Sequence, residues 1–142
     1  MARYKEYGYD IQNGKAIIPE WETEIKEWAF RDCKELTSVE LHQWIKKIGS
    51  FAFSDCSSLT SITVSKENKV YDSREDCNAI IHTESNTLIR GCMNTIIPPS
   101  VTKIGDCAFS GCSSITEVRI PKGCNVHKSA FKDCPKVKII CY

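Results

Sequence analysis

Nine cysteines and three histidines are the residues of this 142-residue chain that could do chemistry. A cysteine can act as a nucleophile, ligate zinc or pair in a disulfide, and a histidine can serve as a base or a ligand. Cys56 in the stretch AFSDCSSL follows Asp55 directly, so each of these roles has to be weighed for it. The elements that position the cysteines decide between the roles.

Composition excludes some classes of partner. The chain is 42% hydrophobic and 26% charged, with a net charge of +1, which is ordinary for a soluble globular protein and leaves no electrostatic signature of nucleic-acid binding. No apolar run approaches the ~18 residues of a membrane span, so we expect no membrane insertion. The first residues lack the apolar segment of a signal peptide, so we expect either a cytoplasmic protein or a trimmed piece of an exported one.

One template recurs four times along the chain. Its pattern is aliphatic-x-x-x-Ala-Phe-x-x-Cys-x-x-aliphatic-x-x-branched aliphatic, where x is any residue. The copies occupy 25–41, 48–64, 104–120 and 126–142. Each copy ends in a short β-branched strand pattern and has small polar residues around the cysteine, which favours a tight helical or 3-10 turn. Such a unit buries its apolar side only by stacking on its neighbours, which predicts a mainly β solenoid of short parallel strands.

Two of the copies carry a family resemblance. The motifs IGSFAFSDCSSLTSITV and IGDCAFSGCSSITEVRIP resemble the BspA-like leucine-rich-repeat family, and the resemblance extends over about residues 15–142. It implies a right-handed leucine-rich-repeat β-solenoid with little helix. It also implies a secreted or cell-surface recognition module, of a kind frequent in host-associated bacteria and parasites.

Two segments depart from the template, and we treat them with the repeats as parts of one domain, 1–142. Residues 1–18 are predicted to form an N-terminal cap, because Asn13-Gly14 between two extended runs is a type I′ hairpin signal. Residues 65–97 are an insertion with a second predicted hairpin, whose polar turn covers Thr83–Asn86. A turn centred there would pair Ile81 with Leu88, Ala79 with Arg90, and Cys77 with Cys92.

The last strand pattern, KVKIICY, reaches the end of the sequence. Unpaired strand edges invite pairing with another chain. We therefore expect that residues 137–140 either continue into further repeats of a longer protein or are covered by a neighbouring chain, self-association included.

The repeated cysteines are predicted to be structural. Stacked coils place equivalent residues about 5 Å apart, so these four residues should form a buried thiol column: Cys33, Cys56, Cys112 and Cys134. A catalytic cysteine needs a singular setting with a base nearby, and no histidine recurs beside these positions. The aspartates at 32, 55 and 133 recur in the same way and are interpreted as turn formers rather than calcium ligands. We therefore expect no enzyme.

The remaining cysteines give weaker signals. Cys124-x-x-His127, with Cys107 and Cys112, is a poor match to a zinc site, and no cofactor is predicted. Cys77 and Cys92 are the best disulfide candidates because the proposed hairpin sets them opposite each other. Two free thiols are the favoured alternative, since a disulfide would need both that register and an oxidising compartment.

The candidate binding residues lie on strands and at loop edges. The outward strand positions are small and polar, typical of a solvated sheet or a generic binding face: Thr37, Glu40, Thr60, Thr63, Glu117 and Arg119. Trp21 and Trp44 are 23 residues apart, as are Trp28 and Phe51, so each pair should stack on neighbouring coils. These aromatics either cover the flank of the core or form a recognition ridge.

The predicted function is a non-catalytic protein-interaction module for adhesion or recognition, whose partner is a protein of a host or a cell surface. The alternatives are a structural spacer or fragment of a larger surface protein, and a metal-binding or enzymatic protein that uses its cysteines.

Overall fold

The computed structural model describes residues 3–142 and is built almost entirely of short strands. One short helix, α1 (Arg3–Glu6), precedes the strands, and a 3-10 turn, η1, covers Arg74–Asp76. The strands are β1 (Asp10–Gln12), β2 (Lys15–Ile17), β3 (Glu24–Ile25), β4 (Ser38–Leu41), β5 (Lys47–Ile48), β6 (Ser61–Val64), β7 (Tyr71–Asp72), β8 (Ala79–His82), β9 (Thr87–Gly91), β10 (Lys103–Ile104), β11 (Glu117–Ile120), β12 (Asn125–Val126) and β13 (Lys138–Cys141).

The longer strands stack in parallel on what we call the long-strand face: β2, β4 and β6, followed by β11 and β13. Val39 lies opposite Ile62, one repeat further on, and Val118 lies opposite Ile139. The repeat period therefore sets the strand register directly, and the predicted mainly β solenoid is confirmed. β2 also pairs in parallel with β4, through Lys15 and Ser38, so the segment that precedes the first template copy already forms part of the stack.

The shorter strands form a second face, the short-strand face. β3 pairs in parallel with β5, and β9 pairs with β10, which pairs with β12. Ile25, Ile104 and Leu88 point inward from these strands and are fully buried. Each template copy thus contributes one longer and one shorter strand, with the core between the two faces.

The N-terminal hairpin forms as predicted. β1 and β2 are antiparallel, and Asn13 and Gly14 have φ values of 51° and 81°, the left-handed pair that a type I′ turn requires. Thr37 packs against Gly14, where no side chain would fit. The hairpin is thereby fixed to the coil that follows it.

The insertion forms a second hairpin with a shifted register. Ile81 lies opposite Leu88, as predicted, but a bulge between Ile80 and Ile81 moves the remaining pairs by one residue. Arg90 therefore lies opposite Ile80 and not opposite Ala79, so that predicted pair is wrong. A bulge is not visible in the alternation of side chains from which the register was inferred.

The candidate disulfide between Cys77 and Cys92 is not formed, because both residues are free thiols. The bulge separates them into different parts of the core. Cys77 packs in the cluster that contains Ile81, whereas Cys92 packs in the cluster that contains Ile80. Neither thiol faces the other across the hairpin, and the favoured alternative of two free thiols describes the structure.

The repeated phenylalanines form two ring stacks. Phe30 and Phe53 are 5.6 Å apart with nearly parallel rings, and Phe109 and Phe131 are 5.0 Å apart. Gly91 of the insertion occupies the equivalent position between the two stacks. Its N–H donates to Ala108 O at 2.8 Å, just as the Phe30 N–H donates to the equivalent carbonyl, Ala52 O, at 2.8 Å. The insertion therefore completes the coil but supplies no ring.

The turns explain why aspartate recurs two residues after the phenylalanine. Asp32, Asp55 and Asp133 have φ values of 61°, 59° and 59°, and Gly111 has 77° at the same position. Aspartate and glycine are among the residues that adopt this left-handed conformation most readily. The prediction that these aspartates shape the turn is confirmed.

The strand β13 lies at an edge of the structure and pairs with β11. Ile139 is 46% exposed on β13, whereas Val118, its register partner, is buried. The expected continuation or self-association through residues 137–140 stays a prediction.

Gly91→Ala is expected to destabilise the protein, because the new methyl group would meet the Phe109 ring. The expected loss in the free energy of unfolding is about 1–3 kcal/mol, typical of overpacking, measured by urea denaturation. Gly91→Ala combined with Phe109→Leu should cost less than the sum of the two single changes, since the smaller side chain relieves the clash. Additive costs would show that Gly91 and Phe109 are not in contact.

Candidate interaction surface

The thiol column predicted from the repeats is present. All four of its cysteines are buried, and Cys56 is only 1% exposed. The thiol of Cys56 donates to the carbonyl of Phe30, one coil earlier, at 2.9 Å, and the thiol of Cys134 donates to that of Phe109 at 3.0 Å. The column therefore fastens one turn to the next.

Burial makes these thiols poor nucleophiles and poor ligands. It raises the pKa of Cys33 to about 12 and those of Cys56 and Cys112 to about 11. The nearby Arg90 cation opposes part of that rise at Cys56 and Cys112. Nucleophilic attack and zinc ligation both need the thiolate. The four thiols of the column are thus protonated at neutral pH and have a structural role.

Asp106, His127 and Ser129 form a cluster that sequence reasoning missed. The Ser129 hydroxyl contacts both Asp106 Oδ1 and His127 Nδ1, and the Cys107 N–H donates to Ser129 Oγ at 3.2 Å. In a nucleophilic triad the histidine stands between serine and carboxylate. Here serine stands between the other two, and its own N–H donates to His127 Nδ1 at 3.1 Å. The cluster joins two neighbouring turns. Cys107 and Ser129 occupy the same repeat position in neighbouring copies, 22 residues apart, and this spacing could have indicated the contact from the sequence.

The zinc candidates do not assemble. Within residues 3–142, no group of three or more histidine, cysteine, aspartate or glutamate side chains is placed to hold a metal ion. Cys112 is committed to the buried column, while Cys107 and Cys124 are half-buried thiols in separate turns.

The long-strand face is mostly polar. Glu40 forms an ion pair with Lys15 at 2.8 Å, and both side chains are about half exposed. The Thr60 hydroxyl donates to Thr37 O, which links neighbouring coils. Thr63, Glu117 and Arg119 are exposed as predicted. This face offers mainly hydrogen-bonding groups, and its exposed large apolar side chains, Ile17 and Ile139, lie far apart on β2 and β13.

Trp21 and Trp44 lie at the loop edges that lead into β3 and β5. They are 75% and 51% exposed, so the interpretation that they cover the core is wrong. Their loops are joined by His42, whose Nε2 lies 2.9 Å from Pro19 O and whose Nδ1 accepts the Trp44 N–H at 3.2 Å. The two tryptophans are thus held on adjacent coils by ordered loops.

Trp28 and Phe51 lie at the other ends of β3 and β5. Their rings stack with centroids 4.7 Å apart, and the Arg31 guanidinium lies 4.6 Å from the Trp28 ring centroid. Trp28 and Phe51 have φ values of 66° and 59°, and Cys107 has 53° at the same repeat position. The turn therefore imposes this uncommon conformation, and in two coils the residue there is aromatic. Phe51 is exposed and Trp28 half-buried.

The chain belongs to the BspA-type leucine-rich repeat family. The family model matches residues 7–138 as six copies. The four template copies thus understate the repeat number, because the N-terminal segment and the insertion supply coils of their own. Together with the stacked strands, the match defines a β-solenoid of about six turns.

Solved structures of bacterial proteins share this fold. A leucine-rich cell-surface protein from Faecalibacterium prausnitzii A2-165 is 28% identical with a TM-score of 0.71, over 87% of this chain and 34% of that one. The pneumococcal vaccine antigen PcpA is 19% identical with a TM-score of 0.67, over 82% and 30% of the two chains. A leucine-rich-repeat protein from Eubacterium ventriosum ATCC 27560 is 17% identical with a TM-score of 0.62, over 88% and 41%.

This chain spans about a third of the length of the first of these proteins. No curated protein matches its sequence significantly. Among residues 3–142, no helix has the length and apolar character needed to cross a membrane.

Cys56→Ser is expected to lower the free energy of unfolding by roughly 1–3 kcal/mol, the cost of a poorly satisfied buried hydroxyl. Urea denaturation measures the loss, and Cys141→Ser, at an exposed cysteine, is the matched control that should change little. Equal stability of the wild type and Cys56→Ser would mean that the thiol column is not a buried structural element.

Stability is expected to fall as the pH rises above about 8.5, where thiols of the unfolded chain ionise. The folded thiols stay protonated up to their raised pKa values of about 11 to 12. The unfolded state therefore binds fewer protons in this range, so the free energy of unfolding decreases. Urea denaturation at pH 8 and pH 10 measures the change, which should be smaller in Cys56→Ser. An equal change in both proteins would contradict the contribution of Cys56.

Proposed function

We propose that this protein is a non-catalytic protein-interaction module that binds through an aromatic band on its short-strand side. The band consists of Trp21 and Trp44 before the short strands, and Trp28 and Phe51 after them. The observation that carries the proposal is the exposure of Trp21 and Trp44, at 75% and 51%, on neighbouring ordered coils.

The band has the composition of a binding hot spot. Tryptophan and arginine are enriched where interfaces gain most of their binding energy, and large rigid side chains lose little entropy on binding. Trp28 and Phe51 are ordered by their mutual stacking, and Arg31 adds a cation over the Trp28 ring. Between the aromatic pairs, Glu24 lies within 3.9 Å of Lys47, which supplies a polar strip. A partner with an apolar surface rimmed by charges would be complementary.

The long-strand face is the weaker candidate. Its outward residues are mostly threonines, serines and isolated charges, which contribute hydrogen bonds but few desolvated anchors. We assign it a supporting role. If the aromatic band binds nothing, the remaining interpretation is a structural spacer within a larger surface protein.

Location and adhesion are part of the same proposal. The family match and the cell-surface description of the Faecalibacterium protein support a secreted or surface-exposed position, with a protein of a host or of another cell surface as the partner. The absence of a catalytic role is supported by the protonated thiol column and by the order of groups in the Asp106 cluster.

Changing Trp21 and Trp44 together to alanine is the direct test. Their exposure predicts a change in the free energy of unfolding near the roughly 0.5 kcal/mol typical of surface sites. Loss of two aromatic anchors should weaken partner binding at least about tenfold. Solid-phase binding to a panel of purified extracellular-matrix and mucosal proteins measures the effect.

Ile96→Ala is the matched control, because Ile96 is 77% exposed but lies outside the aromatic band. It should leave binding unchanged. The proposal fails if the wild type binds no protein of the panel, or if the double tryptophan variant folds and binds as well as the wild type. Loss of folding in the double variant would contradict the exposed placement of these side chains.

A further inference from the structure

A notch of about 230 Å³ opens between the turns of the second and third template copies. One wall is the turn Gly49–Ser54, the other is Gly105–Cys107, and Ile89 and Arg90 of β9 line it as well. The insertion causes the notch. β9 runs straight from Leu88 to Gly91. In the template copies, five residue steps separate the equivalent positions, which are Ile104 and Phe109 in the third copy.

The notch interrupts a ladder of backbone hydrogen bonds. In the first copy, the N–H groups of Trp28 and Phe30 donate to Ser50 O and Ala52 O of the next turn, at 3.1 and 2.8 Å. Phe51 and Phe53 are their equivalents in the second copy. Within the described residues, neither of these two N–H groups has a hydrogen-bond acceptor. The ladder resumes beyond them, where the Asp55 N–H donates to Ser110 O at 3.3 Å.

Arg90 adds a buried cation to these free donors. The residue is only 3% exposed, and its Nη1 and Nη2 atoms donate to Cys107 O and Ser110 O at 3.2 and 3.0 Å. Its Nε is buried without a partner, as is the Oγ of Ser110. Among residues 3–142, no carboxylate forms an ion pair with this guanidinium. A buried charge without a counter-ion is costly, and its unsatisfied N–H adds to that cost.

We propose that the notch is a binding site for a carboxylate group, held by the Arg90 Nε–H and the N–H groups of Phe51 and Phe53. A carboxylate has two oxygens with about four acceptor positions, and it supplies the negative charge that Arg90 lacks. This site goes beyond the proposed aromatic band, although Phe51 contributes its ring to the band and its N–H to the notch.

The charges around the notch favour a small carboxylate over a large anion. Asp106 also lines it, and its carboxylate is engaged by the Ser129 hydroxyl on the side of the next coil. A bulky or multiply charged anion would approach Asp106 as well as Arg90. A single planar carboxylate is small enough to contact Arg90 without approaching Asp106.

The test is a titration of the full ¹⁵N-labelled chain with sodium acetate, against sodium chloride at matched pH and ionic strength. Acetate should shift the amide signals of Phe51 and Phe53 and the Nε–H signal of Arg90, with saturation. The amides of Trp28 and Phe30 are internal controls, because the same repeat positions there are already hydrogen-bonded. Equal shifts with chloride, or shifts with inorganic phosphate but not with acetate, would overturn the proposal.

A second titration distinguishes the source of the carboxylate. N-acetylglycylglycine carries a C-terminal carboxylate, and its C-terminal amide is the neutral control. If the site accepts the end of a polypeptide, the acid should shift the same signals at lower concentration than acetate does. Shifts of equal size with the amide would contradict recognition of the charge.

Arg90→Lys retains the charge but removes the Nε–H donor, so acetate affinity should fall by about tenfold or more. Arg119→Lys, at an exposed arginine of β11, is the matched control and should leave the affinity unchanged. Unchanged affinity in a folded Arg90→Lys variant would overturn the role of Arg90. If that variant does not fold, the wild-type titration still decides whether the notch binds carboxylates.

Discussion

The structure depends on the parallel hydrogen-bonding of successive coils, which is offset by 21 to 23 residues between neighbouring template copies and by 16 residues between the insertion strand β9 and β10. No single coil has enough apolar surface to form a core, so the strands, the phenylalanine rings and the thiols gain burial only by stacking. The turn residues follow from the same constraint. Aspartate or glycine recurs at one position because the backbone there is left-handed in every copy. Side chains that point away from the stack are free of this constraint.

The parts of the fold that repeat could be predicted from the sequence. The register of β4 on β6 and the buried thiol column both follow from residues recurring at a fixed spacing. The Asn13-Gly14 hairpin was equally clear, because two left-handed residues leave few alternatives. The stacking of Trp28 on Phe51 followed from their common repeat position.

The parts that do not repeat could not be predicted. The bulge between Ile80 and Ile81 changes the register without changing the pattern of apolar residues, so the Ala79–Arg90 and Cys77–Cys92 pairs were wrong. The notch forms because the insertion lacks residues that the template copies have between their short strand and their turn. Missing residues leave no motif in the sequence. The brace of Asp106, His127 and Ser129 combines residues from two copies that differ at these positions. The exposure of Trp21 and Trp44 could not be predicted either, because it depends on the paths of their loops, which composition does not determine.

The insertion has a geometrical consequence for the whole solenoid. On the short-strand side, β9 adds a layer between the second and third template copies, and a layer of strands occupies about 4.8 Å. On the turn side, the same two copies are in direct contact, through the Asp55 N–H and Ser110 O. The second and third template copies are therefore separated by an extra strand on the short-strand side, while their turns hydrogen-bond directly. Arg90 lies at this transition between the two spacings, beside the notch.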